Sequence, residues 1–444
     1  MRSYDHLSFW QEEIGASVTR QSLNDNISSD VCIIGAGFTG LSTAIHLKEK
    51  RPDLNVSVLE SDFVGYGASG RNAGFSMRLF GISMELTKLL HGKKKTKEAD
   101  EYLIDAVQYL EDMIKRYHIE CHYERNGMMT VATNSQELKQ LHKEVKVASE
   151  LELDGLMLLD DVKTKQIVHS PSYLASRFDE YAALLHPAKL VTGLAEVAEL
   201  LGVTIYEQSE VIEVAEDDRI VLTAQGSVKA DKIVFATNAY SNFYPALNSK
   251  QIPIYTYIVL TEPLTDEQLN ELRWEPRVGI EDSRNFLHYY RLTHDNRILI
   301  GGSEAIYYYD GPLHKNNNRE MKQLLEKDFF EIFPQLEGIQ FTHHWGGPIS
   351  ATLDLIPTIG KINDDIWYSI GCMGHGVSLT NYNGLTLAEL LLGERSKRTD
   401  FFIINRKGIP LPPEPLRFAT VSAIRNYLRY EDQKGNKTKR NSIM

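Results

Sequence analysis

The sequence predicts an α/β fold: a Rossmann-like nucleotide-binding domain on a parallel sheet, interleaved with an α+β domain built on a mainly antiparallel sheet. Three observations carry this. An apolar run at 31–34 ends in Gly35-Ala36-Gly37-Phe38-Thr39-Gly40, apolar residues recur at helical spacing (Leu41, Ala44, Ile45, Leu47), and a second apolar run at 56–59 closes on Glu60. A second glycine-rich turn, Gly371-Cys372-Met373-Gly374-His375-Gly376-Val377, separates a strand at 366–370 from a helix at 379–392. Between the two turns lie strand-like segments at 254–261, 287–291 and 297–302, the last two joined by a polar turn, Thr293-His294-Asp295-Asn296.

The first turn has the order strand, glycine turn, helix, strand, acid, with Glu60 placed 20 residues after Gly40. That is the dinucleotide fingerprint in its full context. Gly35 allows the tight exit from the strand, Gly37 lets backbone approach a pyrophosphate, and Gly40 lets the helix pack close to the sheet. The helix N-terminus near Phe38 and Thr39 offers free N–H groups and a positive dipole end to phosphate. Glu60 suits a ribose 2′-hydroxyl and repels a 2′-phosphate. A βαβ unit whose glycines serve only packing is the competing reading.

The 444 residues suffice for two or three domains, and a hydrophobic content of 42% with 24% charged residues is ordinary for a globular chain. A formal net charge of −12 argues against nucleic-acid binding. Cys32, Cys121 and Cys372 are far apart and form no CxxC, so neither a zinc site nor a disulfide framework is indicated. His343-His344 lacks a third ligand at a convincing spacing, and no metal is expected. No apolar run approaches membrane-spanning length, and the N-terminus does not read as a signal peptide. A cytoplasmic location is expected.

In chain order, a polar lead-in at 1–28 carries Phe9 and Trp10, and the fingerprint follows. Next comes a small-residue loop, Gly65-Tyr66-Gly67-Ala68-Ser69-Gly70-Arg71-Asn72-Ala73-Gly74-Phe75, able to lie against a planar ligand, with Arg71 and Asn72 as donors; a flexible surface loop is the plainer alternative. Residues 82–150 read as two helices around a strand at 127–132. A helix at 191–201 ends at Gly202, strands follow at 203–206, 211–214 and 220–223, and a buried strand at 233–236 leads into Thr237-Asn238. A helix is expected at 320–333 and a short one at 421–430, followed by a polar tail expected to be disordered.

The combination of GAGFTG, the acid after the second strand, GASGRNAGF and GCMGHGVSLT resembles the D-amino-acid oxidase and sarcosine oxidase superfamily of FAD-dependent oxidoreductases, over about residues 30–400. It is most similar to the branch containing gamma-glutamylputrescine oxidoreductase-like enzymes. The resemblance implies an FAD-binding domain at 1–85, 155–248 and 338–404, a substrate-binding domain at 86–154 and 249–337, and a C-terminal extension at 405–444. It implies FAD contacts from Gly35, Gly37, Phe38, Thr39, Gly40, Glu60 and Ser61, from Ala68, Ser69, Arg71, Asn72, Ala73 and Gly74, from Val211, and from Ala236, Thr237 and Asn238. Gly371, Gly374, His375, Gly376 and Val377 complete the set, with the second helix N-terminus facing the flavin's pyrimidine edge.

The activity implied is oxidation of the C–N bond of an amine or amino acid to an imine by hydride transfer to flavin N5. Rival readings are a flavoprotein whose FAD is structural and which serves as a binding or assembly module, and an NAD-linked dehydrogenase. Arg291 is the candidate clamp for a substrate carboxylate, with Tyr289 on the same strand face, unless it is a surface arginine among core tyrosines. Tyr255, alternating with Tyr257, is equally a site or a core residue. Relatives attach flavin through a cysteine upstream of a Thr-Pro-Asp stretch or through a histidine. Here the stretch is Thr352-Leu353-Asp354, with no cysteine at 341–354 and no histidine at 61–80. FAD is therefore expected to be non-covalent. Leu299 stands where oxidases of the branch carry a lysine, which leaves oxygen or another carrier as electron acceptor.

Overall fold

The computed structural model describes residues 7–79 and 81–441; the first six residues of the polar lead-in, Phe80 and the last three residues of the tail lie outside it. Two eight-stranded sheets organise the chain. In the first, Asn26–Ile34 runs parallel to Ser227–Phe235 on one side and to Val56–Leu59 on the other. Ile366–Ile370 and Thr204–Tyr206 extend it in parallel, and Thr358–Lys361 adds an antiparallel edge. An antiparallel pair, Val211–Ala215 with Ile220–Thr223, branches from Ser227–Phe235. The strand Asn26–Ile34 is buried on both faces at its end, as its unbroken apolar run requires.

Helix Phe38–Lys50 covers this sheet, and helix Gly376–Leu391 covers the helix. Their contact is close because a glycine sits in it: a Cβ on Gly384 would lie 2.6 Å from Ser42 Cβ and 2.8 Å from the Thr39 carbonyl. The Ser42 hydroxyl donates to the Asn381 carbonyl at 2.6 Å across the same contact.

The second sheet runs Phe341–Ala351, Ile252–Thr261, Ile298–Gly302, His288–Leu292, Gly279–Asp282, Met128–Ala132, Ala175–Asp179, Leu156–Leu159. All its pairs are antiparallel except Gly279–Asp282 with Met128–Ala132. One face packs on helix Arg319–Ile332 through Tyr255, Tyr257, Tyr290, Leu325 and Phe329. The other face is turned to the first sheet's loops.

Several expectations need correction. Residues 155–248 and 338–404 do not belong wholly with the first sheet, since Leu156–Leu159, Ala175–Asp179 and Phe341–Ala351 pair in the second. Short apolar strands fix their own conformation but not their partner, which is a tertiary choice. The helix expected at 191–201 is Pro187–Leu200, started by Pro187 and capped by the His186 ring, whose Nδ1 accepts from Lys189 N. The helix expected at 379–392 begins at Gly376, inside the glycine-rich turn. The C-terminal segment is one helix, Leu416–Asn441, not a short helix with a disordered tail. Glu414 accepts from Phe418 N at its start, Arg417 donates to Asn248, Arg425 and Arg429 pair with Glu304, and Asp432 accepts from the backbone of Asn285 and Phe286. Tertiary contacts hold a segment whose polar composition alone would leave it loose.

Candidate functional site

Four parallel strands of the first sheet deliver their carboxyl ends to one place. Ile34 and Gly35, Leu59 and Glu60, Ala236 and Thr237, and Ser369 and Ile370 all line a cavity of about 290 Å³. This is the carboxyl edge of an open parallel sheet beside its central strand, where such sheets bind ligands. Both helix N-termini open into it through Gly37-Phe38-Thr39 and Gly374, Gly376 and Val377, so two positive dipole ends bear on the same space. The Glu60 carboxylate closes one end. It accepts from Ala36 N at 2.9 Å and Asp62 N at 3.2 Å, and burial holds its carboxyl above the usual range.

The loop that walls this cavity is held from behind by side chains that capture its carbonyls. Ser8 donates to Gly70, Gln11 to Gly65 and Tyr66, Trp10 to Asn72, and Arg71 to Tyr66. Asn72 cross-braces it, donating to Ala68 and Ser69 and accepting from Gly74 N. Within the cavity, the Ser69 hydroxyl accepts from Phe38 N at 3.0 Å.

A second cavity of about 440 Å³ adjoins the first and shares Ala68, Asn72, Ile349, Gly374 and Val377 with it. Its walls are apolar: Ile252, Ile254 and Ile258 from one strand, with Phe75, Met77, Tyr289, Trp345 and Met373. Ionisable groups interrupt them at Arg71, Glu281, Glu304, His375 and Arg425. Glu281 is buried, and desolvation raises its carboxyl to about 7 although Arg177 and the Thr130 hydroxyl pull it down. Burial likewise lowers His375 to about 4, so its ring is neutral.

The residues present fit an FAD. A Cβ on Gly37 would stand 2.8 Å from Ser69 Oγ, so the glycine keeps open the space that a pyrophosphate needs. The Tyr240 hydroxyl in the first cavity and His375 Nδ1 in the second are buried and without a hydrogen-bond partner among the described residues. Buried polar atoms of that kind are satisfied when a ligand is present.

The sequence-derived residues distribute as follows. Gly35, Gly37, Phe38, Thr39, Glu60, Ser61, Ala68, Ser69, Asn72, Val211, Ala236, Thr237, Asn238, Gly374, Gly376 and Val377 line the first cavity. Arg71, Ala73 and His375 line the second. Gly40, Gly74 and Gly371 line neither and serve close packing: a Cβ would meet the Gly35 carbonyl at 2.0 Å, the Leu185 carbonyl at 2.1 Å and Thr352 Cγ2 at 2.7 Å, respectively.

Of the candidate substrate residues, only Tyr289 lines the second cavity. Arg291 does not, and its placement does not fit a carboxylate clamp. Its guanidinium is buried and donates to the carbonyls of Leu185 at 2.7 Å and of Ala73 and Gly74 at 3.3 Å, stacking over Trp10. Desolvation, only partly offset by Glu124, lowers its pKa to about 10. Tyr255 is also turned away, packed with Tyr257 and Tyr308 behind the sheet. The strand alternates, and the face shown to the cavity is Ile252, Ile254, Thr256 and Ile258. Tyr240 and Thr380 stood in the sequence reading only as ends of the 237–240 segment and of the GCMGHGVSLT motif; sequence reasoning missed Asn383, although with Gly376 and Thr380 it forms a stripe at helical spacing, and it missed Ser209, Glu281, Glu304 and Arg425.

Comparison with known proteins agrees with this geometry. A family profile described as FAD dependent oxidoreductase (DAO) matches residues 30–390. The chain is 33% identical to the gamma-glutamylputrescine oxidoreductase of Escherichia coli (strain K12) over 394 residues, 88% of this chain and 89% of that one. It is 33% identical to the probable oxidoreductase OrdL of Haemophilus influenzae over 398 residues, 86% of each chain. Among solved structures, glycine oxidase from Geobacillus kaustophilus superimposes with a TM-score of 0.69 at 18% identity, covering 83% of this chain and 96% of that one. The chain belongs to the DAO family of FAD-dependent oxidoreductases.

Proposed function

We propose that this protein oxidises the C–N bond of a small aliphatic amine or amino acid to an imine, with non-covalently bound FAD. We further propose that the first sheet carries the FAD-binding domain and the second the substrate-binding domain. One observation carries the reading: a nucleotide cavity with two helix N-termini runs into an apolar cavity along a five-residue seam, and the apolar cavity contains a buried carboxyl that titrates near neutrality. The relative from Escherichia coli, by its name, acts on an amine, and others are named sarcosine oxidase subunit beta and glycine oxidase.

FAD, when bound, supplies the acceptor for the two electrons removed from the substrate. The chain's own residues do the rest. The apolar walls exclude water and align an aliphatic stem. Oxidation needs the amine unprotonated, and a Glu281 carboxyl near 7 takes a proton from the ammonium better than an ordinary carboxylate. Tyr289 borders the same space, and its phenol is raised to about 12 by burial, so it remains protonated.

Non-covalent attachment is supported by the cysteines. Cys32 and Cys121 are buried outside both cavities, and Cys372, which lines the first, donates its thiol to Asn238 at 3.3 Å while burial raises its pKa. Leu299 is buried beneath the wall formed by Ile258 and Trp345, and no lysine lines either cavity among the described residues. This favours an electron carrier other than oxygen. The test is an anaerobic visible spectrum before and after adding a panel of amines and amino acids. Bleaching of the oxidised flavin bands by an amine is expected; a yellow protein that no amine bleaches would favour a structural flavin, and a colourless protein that takes up no added FAD would refute the cofactor.

A further inference from the structure

We infer that Arg425, on the C-terminal helix Leu416–Asn441, is a specificity residue that binds a carboxylate at the end of the substrate remote from the oxidised amine. The inference rests on the amine-oxidation reading for what happens at the other end of that substrate.

Val421, Ile424, Arg425 and Leu428 line the second cavity. Their spacing of three, four and seven puts them on one face of the helix. None of the four belongs to the seam shared with the nucleotide cavity. The helix therefore supplies a wall of the substrate space away from the cofactor, and among the described residues Arg425 is the one cation it contributes there.

The charge at that wall is unbalanced. Glu304, whose side chain is 10% exposed, receives two guanidiniums: Arg425 Nη2 at 2.7 Å and Arg429 Nη2 at 2.6 Å, each also donating from Nε. Two cations against one carboxylate leave one net positive charge beside an apolar cavity. A guanidinium in a partly desolvated setting favours a planar anion, and a carboxylate matches it best. Glu281, a second acid of the same cavity, is buried in the second sheet and likewise lies outside the seam. A linear molecule with its amine toward the seam and a carboxylate at the helix meets a guanidinium at the helix and apolar walls between the two ends. The helix is seated independently of Arg425 by Arg417 on Asn248 and by Asp432 on the Asn285–Phe286 backbone, so the arginine's binding role is separable from the helix's position.

The test uses the FAD-loaded protein and two unreactive probes, 6-acetamidohexanoate and its neutral counterpart 6-acetamidohexanamide, with affinity measured by calorimetry. Arg425→Met should weaken the carboxylate probe by about tenfold or more, the scale of one lost charge-assisted hydrogen bond, and leave the amide probe unchanged. Arg429→Met removes the surplus charge but keeps the guanidinium that lines the cavity, so it should weaken the carboxylate probe clearly less than R425M does and leave the amide probe unchanged. The inference is overturned if the wild-type protein prefers the amide, if R425M weakens both probes equally, or if R429M weakens the carboxylate probe as much as R425M does. Because the probes are not oxidised, this result stands apart from the reaction: failure of every amine to bleach the flavin alongside a lost carboxylate affinity in R425M would refute the reaction and leave the carboxylate site standing.

Discussion

Gly37 and Ser69 approach each other so closely that a single methyl group would join them: a Cβ on Gly37 would lie 2.8 Å from Ser69 Oγ, the same atom that accepts from Phe38 N. The strand-turn-helix and the small-residue loop thus meet over the space for the pyrophosphate. Gly37→Ala should leave the fold intact but lower FAD affinity by tenfold or more, since overpacking a tight site costs about 1–3 kcal/mol. Titration of the apoprotein with FAD, followed by flavin fluorescence, checks this; unchanged affinity would show that the turn does not touch the cofactor.

Flavin attachment has a direct assay. Acid precipitation should release all yellow colour into the supernatant, for wild type and for Cys372→Ser alike. Colour left in the wild-type pellet and absent from the C372S pellet would identify a thioether at the one cysteine in the cavity.

The Glu281 carboxyl gives stability a definite pH dependence. Its folded pKa, about 7, lies above the ordinary value of 4.5, so between these limits the folded protein holds a proton that the unfolded chain has released. The stability contribution is full below 4.5 and falls as pH rises to 7. Glu281→Gln, which stays neutral, should therefore be more stable than wild type at pH 8, by no more than about 3 kcal/mol, and the advantage should shrink towards pH 5. Urea midpoints at the two pH values decide it, and a difference independent of pH would mean that Glu281 titrates normally.

Arg291 is expected to act on the cofactor loop and not on substrate. Arg291→Met leaves the carbonyls of Ala73 and Leu185 without this donor, while that of Gly74 keeps Leu185 N, at a cost on the order of 1–3 kcal/mol for each buried group left unpaired. The melting temperature and FAD retention should fall together, with no selective loss for carboxylated over uncharged amines. A selective loss would restore the clamp that the sequence suggested.

The parts legible in the sequence were those that short-range physics decides. Gly35 to Gly40 and Gly371 to Gly376 declare backbone conformations and close approaches that few other residues tolerate, and the strand ends beside them fall where the apolar runs stop. What the sequence left open was which side of a strand meets which neighbour. Tyr255 and Tyr257 share a face, but only the packed sheet reveals that helix Arg319–Ile332 takes that face and the cavity takes Ile254, Thr256 and Ile258. Tyr289 and Arg291 also share a face, yet two residues along the strand suffice to move from cavity wall to loop support. Arg425 was least legible, because a charged residue in a polar C-terminal segment acquires meaning only when Glu304, 121 residues earlier, is seen beside it.

The bracing of the cofactor loop also ties together parts of the chain that are far apart in sequence. The loop at 65–74 is braced by Ser8, Trp10 and Gln11 from before it in sequence, but its carbonyls at Ala73 and Gly74 also take Arg291, and the cavity it walls also takes Thr380 and Asn383. The fingerprint therefore does not complete the cavity by itself: part of the wall comes from helix Gly376–Leu391, more than 300 residues further along the chain.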